Sequence, residues 1–146
     1  MLSSPPITGL AGRLQLVLAR TARRLRQEAG ADLSPSLSSA LASIDRHGPL
    51  TPSELAACER VQRPTVTRVV GRLEELGLVA RSPDPSDGRS SLIAPTPEGR
   101  ALLRRLRTRK SQYLARRLSG LDADELATLE RAATILERML DEDGRR

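Results

Sequence analysis

The sequence predicts a mainly helical fold carrying one small β-hairpin. Three observations point to it. Five stretches repeat apolar residues at the spacing of a helix face, and cap signals such as Thr51-Pro52-Ser53-Glu54 mark a sixth helix and the starts of several others. Only two short stretches, 78–82 and 90–95, are β-prone, and they flank the turn-rich segment "DPSDGR". Tyr113 is the single aromatic residue, so the core must be built from Leu, Val, Ile and Ala. A chain of 146 residues suits one domain or two small lobes sharing a core.

Each element has its own signal. Residues 7–28 place Ile7, Leu10, Leu14, Val17, Leu18 and Leu25 at helical spacing. Arg13, Arg20, Arg24 and Arg26 fall mostly outside that stripe, and Gly30 closes the helix. The second helix has Ser34 as N-cap, Pro35 at its first position and Gly48 at its stop, with Leu37, Leu41 and Ile44 on one face. In the third, Thr51 caps, Pro52 fits the first position and Glu54 completes a capping box. Arg60 and Val61 leave room for a tight turn before a fourth helix, 62–76. There Val66, Val69, Val70, Leu73 and Leu76 form the inward stripe, and Gly77 ends it. Pro64 is tolerated because the first helical turn has no intrahelical partner for a missing N–H. After the hairpin, Thr96-Pro97-Glu98 opens a fifth helix running to about Leu118, with Leu102, Leu103, Leu106, Tyr113 and Leu114 inward. Asp122 and Glu125 open the last, striped by Leu126, Leu129, Ala133, Leu136 and Leu140.

Charge is distributed unevenly. Between Arg60 and Arg117 there are 14 basic and 5 acidic residues, a balance of +9, whereas the remainder balances at −3. A basic middle suggests a polyanion footprint, most simply a nucleic-acid backbone. The lack of aromatics argues against base stacking on single strands. Cys58 is the only cysteine and His47 the only histidine, so neither an intramolecular disulfide nor a Cys/His metal cluster is expected. Cys58, at the end of the third helix, is expected to be a small buried hydrophobe. No glycine-rich phosphate loop or catalytic pairing is recognisable, and no cofactor or enzymatic activity is expected. No apolar run approaches the length of a membrane span, and the N-terminus lacks the features of a signal peptide, so a soluble cytoplasmic protein is expected.

A short helix, a tight turn and a second helix is the helix-turn-helix plan, and a hairpin following at once makes it a winged variant. In such a fold the second helix enters the DNA major groove. Opposite its Val/Leu stripe lie Pro64, Thr67, Arg68 and Gly71, with Arg63, Thr65, Arg72 and Glu75 on the flanks. Short side chains let a helix approach base edges closely. Arginine can take guanine bidentately, and threonine can contact thymine methyls or phosphates.

The stretch "LTPSELAACERVQRPTVTRVVGRLEELGLVARSPDPSDGRSSLIAPTPEGRALL", residues 50–103, resembles the winged-helix core of the MarR family of bacterial transcription regulators. Its most specific parts are "VTRVVGRLEELGLVAR" and a D-x-R wing followed by "TPEG". The resemblance implies that the wing arginine, here Arg89, inserts into the minor groove and that the acid two residues earlier, Asp87, helps hold it. Narrow minor grooves concentrate negative potential, and a guanidinium is less strongly hydrated than an ammonium. Asp87 and Arg89 could also serve simply to pin the hairpin. Gly88 departs from the pattern, because members often carry a second basic residue there.

The resemblance further implies a winged helix-turn-helix DNA-binding core at 33–96. A dimerisation helix at 1–32 and dimerisation helices at 97–146 would flank it. The stripes at 7–25, 102–118 and 126–140 independently favour a homodimer, being too long for one small lobe to bury. Leu129, Leu136 and Leu140 are the expected interface residues. A two-fold pair would set two recognition helices about one DNA turn apart on a palindromic operator. The implied function is a sequence-specific repressor of double-stranded DNA, released by a small ligand. The ligand site is a crevice between the lobes, and its aliphatic and arginine lining favours an anionic amphiphile. An architectural DNA-binding protein of low sequence preference is the alternative; a specificity ratio at fixed salt separates the two.

Overall fold

In the computed structural model, residues 6–30 and 32–144 are described. Helices α1 (Ile7–Ala29), α2 (Pro35–His47), α3 (Pro52–Glu59) and α4 (Arg63–Glu75) precede strands β1 (Val79–Asp84) and β2 (Asp87–Pro95), and α5 (Pro97–Leu118) and α6 (Ala123–Asp143) follow. The chain forms two compact units, Met1–Lys110 and Ser111–Arg146. Among the described residues no helix is long and apolar enough to cross a membrane.

Local chemistry starts these helices where the sequence marks them. The Ser34 hydroxyl accepts the Leu37 amide at 3.3 Å. Thr51 and Glu54 form a reciprocal capping box, as do Asp122 and Glu125. Each box satisfies two backbone N–H groups that the first helical turn leaves without carbonyl partners. Gly77, at φ +73, turns the chain out of α4 toward β1, a backbone conformation costly for any residue with a β-carbon.

The first unit holds the apolar core. Leu41 and Ile44 of α2, Leu55 of α3, Val70 and Leu73 of α4 and Ile93 of β2 are its most deeply buried side chains. Leu50 and Ile93 exchange both backbone hydrogen bonds, 3.0 and 2.7 Å, so the α2–α3 connection lies along β2. Leu102, Leu103 and Leu106 of α5 complete the cluster.

The start of α5 is fastened to the α4–β1 junction. The Thr96 amide donates to the Leu78 carbonyl at 3.0 Å, and its hydroxyl donates to the Gly77 carbonyl at 2.6 Å. That hydroxyl also accepts the Gly99 amide at 3.1 Å, capping the helix. A β-carbon on Gly99 would lie 2.1 Å from the Leu78 oxygen. Glycine at 99 is therefore required by close approach.

Three sequence expectations are corrected. The hairpin is longer than 78–82 and 90–95: its strands reach Asp84 and Asp87, and only Pro85 and Ser86 turn the chain. Prolines 83 and 85 suggested a loop, but in a two-stranded hairpin each strand has a free edge, and a register shift at Pro83/Asp84 absorbs the irregularity. Leu76 is not inward; as the C-cap of α4 it is 41% exposed, at the end of the helix just before the left-handed Gly77 turns the chain away. Cys58 is exposed rather than buried. The α3 face toward α2 is occupied by Leu55 and Glu59, one turn apart, which leaves Cys58 outside that pair.

Within the second unit, no residue of α6 is buried. Leu126, Leu129 and Leu140 of its stripe are exposed and Leu136 is half-buried. Tyr113 and Leu114, read as inward, are half-buried.

Candidate nucleic-acid interface

The turn from α3 into α4 sets the direction of the exposed helix. Arg60 takes a left-handed conformation, φ 54, alone among the described non-glycine residues. Its amide donates to Ala57 O at 3.3 Å and the Val61 amide to Ala56 O at 3.1 Å, which closes α3 within two residues. Gln62 then enters α4 with no side-chain cap, and Pro64 lies in the first turn.

Burial divides α4 sharply. Val66, Val69, Val70 and Leu73 face the core, while Arg63, Pro64, Thr67, Arg68 and Arg72 are exposed. A β-carbon on Gly71 would meet nothing within 4 Å, so the outer surface there is open down to the backbone. The Arg63 guanidinium donates to the Ser53 hydroxyl at 2.6 Å. The Thr67 hydroxyl donates to the Arg63 carbonyl at 3.1 Å. Arg72 pairs with Glu75 at 3.1 Å, but with side chains 57% and 69% exposed the pair is weak and easily exchanged for a phosphate. No hydrogen bond or ion pair engages the Arg68 guanidinium among the described residues. Thr65 stands apart from the other predicted contacts: it is half-buried and lines a small cavity against α2 and α3.

The wing is braced to this helix. Arg81 of β1 donates to the Glu74 carboxylate of α4 at 2.6 Å. At the hairpin end, the Asp84 carboxylate accepts the Ser86 amide at 3.0 Å and its hydroxyl at 2.8 Å. The Ser86 amide, and then the Ser86 hydroxyl, hold the Asp84 carboxyl below its ordinary pKa. Asp87 accepts the Arg89 backbone amide at 3.0 Å. The acid of D-x-R thus shapes the backbone beneath the arginine and leaves the Arg89 guanidinium without an intramolecular partner among the described residues.

Two exposed, unengaged arginines on two consecutive elements, one on a shallow helix face and one near a hairpin tip, suit a grooved polyanion. Ser53 and the Arg81–Glu74 brace were not singled out from sequence. Neither has a local signature, since the partners lie ten and seven residues apart in chain. Among the described residues no group of three or more His, Cys, Asp or Glu side chains is placed to hold a metal ion.

Comparison with known proteins bears on this surface. The model of the MarR family matches residues 33–91. An HTH-type transcriptional regulator of Mycobacterium tuberculosis is 37% identical over 134 residues, covering 91% of this chain and 94% of the relative. The multiple antibiotic resistance protein MarR of Salmonella typhimurium is 37% identical over 100 residues, 68% of this chain and 69% of that protein. Among solved structures, a transcriptional regulator protein from Pseudomonas aeruginosa superposes with a TM-score of 0.81 at 34% identity, over 92% of this chain and 96% of the other. Ligand-free wild-type MarR from E. coli superposes at 0.73 with 29% identity, over 92% and 98%.

Proposed function

The chain is a transcriptional regulator of the MarR family, and from that premise we propose that it acts as a homodimeric repressor, bound to a palindromic operator and released by a small ligand. The observation that carries this reading is the pair of unengaged cations, Arg68 on the open face of α4 and Arg89 on the wing. In this reading α4 lies in the major groove, where Arg68 reads a base edge. Pro64, Thr67 and Gly71 permit close approach, and Arg63 and Arg72 meet the flanking phosphates, while the half-buried Thr65 supports the helix from its inner side. Arg89 enters the adjacent minor groove, its backbone set by Asp87.

Exposed apolar side chains support the homodimer. Ile7, Leu16 and Val17 of α1 are 86%, 59% and 49% exposed, and Leu129, Met139 and Leu140 of α6 are 47%, 53% and 72% exposed. Apolar stripes of this length are unusual on a soluble monomer. Two recognition helices joined by a two-fold axis fit two half-sites about one DNA turn apart. The protein would act in the cytoplasm, beside the DNA it controls.

A crevice of about 1160 Å³ within the first unit supports a ligand-responsive role. Leu25, Leu33 and Leu106 give it an apolar lining, and Arg23, Arg26 and Lys110 stand around it, a chemistry that fits an anionic amphiphile.

Selection from a random duplex pool tests the reading. The purified chain is expected to enrich an inverted repeat and to bind it at least about 10³-fold more tightly than random duplex at physiological salt. Enrichment of no sequence would overturn it.

A further inference from the structure

We propose that Glu59 is a positioning residue for sequence recognition. Its carboxylate clasps two serines of α2 and thereby fixes the turn that aims α4. This rests on the reading of α4 as the recognition helix.

The clasp is defined by geometry. Ser39 and Ser43 lie one turn apart on α2, so both hydroxyls face the same side. The Ser39 hydroxyl donates to one Glu59 oxygen at 2.7 Å, and the Ser43 hydroxyl donates to the other. Hydroxyl-to-carboxylate bonds are charge-assisted and stronger than neutral ones. Glu59 is the last residue of α3, and the left-handed Arg60 follows it directly. Four residues after Glu59, α4 begins.

Leu41, Leu55, Val66 and Val69 pack this junction from within, and its outer rim is open. A cavity of about 90 Å³ lies among Ala40, Leu55, Glu59, Val61, Thr65 and Val69, at the meeting of α2, α3 and α4. Val61, inside the turn, remains 40% exposed. A close-packed interior resists displacement, whereas a void leaves room for it. At that open rim, the two hydrogen bonds to Glu59 tie the end of α3, and the turn that follows it, to α2. Glu59 needs no contact with DNA for this role. Removing it lets α4 settle in more than one orientation, which degrades base readout more than phosphate contact, because base-edge hydrogen bonds are the more directional.

The test uses the full chain, the inverted repeat that the wild type selects from a random pool, and a random duplex, all at one salt concentration. Glu59→Ala is expected to weaken binding to the selected sequence by about tenfold while random-duplex affinity changes by less than about twofold. Ser39→Ala/Ser43→Ala should give the same loss, and adding both to Glu59→Ala should give no further loss, because all three remove one interaction. Glu59→Gln keeps an acceptor for one serine and a group that bonds to the other, and should restore most of the specificity. The serine double variant keeps the question open to measurement if Glu59→Ala fails to fold. Equal losses on both duplexes, additive losses in the triple variant, or specificity unchanged in the serine variant would overturn the proposal. A wild type that selects no sequence overturns the DNA-recognition reading, and this proposal with it.

Discussion

Gly99→Ala is the sharpest probe of how the wing is anchored to α5. The added β-carbon would stand 2.1 Å from the Leu78 carbonyl oxygen and 3.1 Å from its carbon. Ordinary carbon–oxygen contacts are about 3.3–3.6 Å, so α5 would have to retreat by roughly 1 Å. The Leu78 oxygen belongs to the rigid junction that also accepts the Thr96 amide, and retreat strains the Thr96 bonds to Leu78 and Gly77. Overpacking of this kind costs about 1–3 kcal/mol, and weakening those hydrogen bonds adds about 1 kcal/mol. Alanine's better helix propensity returns about 1 kcal/mol, so the expected net loss is about 1–3 kcal/mol. Urea unfolding followed by circular dichroism measures it. A midpoint within error of the wild type, with an unchanged denaturant slope, would refute the close-approach reasoning.

Gly71→Ala should act in the opposite sense on stability, raising it by up to about 1 kcal/mol because the β-carbon enters open space within a helix, while lowering operator affinity if α4 lies against base edges. A stabilised variant that binds DNA as the wild type does would place that face away from DNA. Arg89→Ala is expected to cost about 1–3 kcal/mol of operator binding with the fold intact, and Arg68→Ala to relax specificity; equal losses on operator and random duplex would make Arg68 a phosphate contact. Leu129→Glu places a charge in the proposed apolar interface and should shift sedimentation toward a 15.9 kDa monomer, since Leu129 is 47% exposed within one chain; an unchanged dimer would exclude that face. Because the Asp84 carboxyl is held below its ordinary pKa, the turn is stabilised wherever Asp84 is ionised, and that contribution is lost only as pH falls below the ordinary carboxylate range and through the depressed folded value. Protection of the Ser86 amide against hydrogen exchange should therefore be flat from pH 5 to 8, and a loss inside that range would contradict the assignment.

What was legible in the sequence is what short-range chemistry decides. Ser34, Thr51, Thr96 and Asp122 each cap a helix where their spacing to the next apolar stripe said they would. The inner face of α4 follows from periodicity through Leu73 and fails at Leu76, where the helix ends and periodicity stops governing direction. The wing's length is not legible because Pro83 reads locally as loop, while the pairing that accommodates it is made with Ser91, across the turn. The exposure of Cys58 is not legible for a related reason: on a helix of 8 residues, the buried side is chosen by what α2 offers, here two serines that take Glu59. The Ser53–Arg63 bond and the Glu59 clasp are tertiary facts. Serine and glutamate in helices are ordinary surface residues until the chain folds them together.

In the proposed complex, α4 and the wing of two linked copies grip adjacent grooves of one palindromic site. Hydroxyl-radical and methylation footprinting of the selected duplex tests it most directly. Two symmetric patches of major-groove protection are expected about one helical turn apart, each with outer minor-groove protection that Arg89→Ala removes. A single unpaired patch, or uniform protection that ignores sequence, would contradict it.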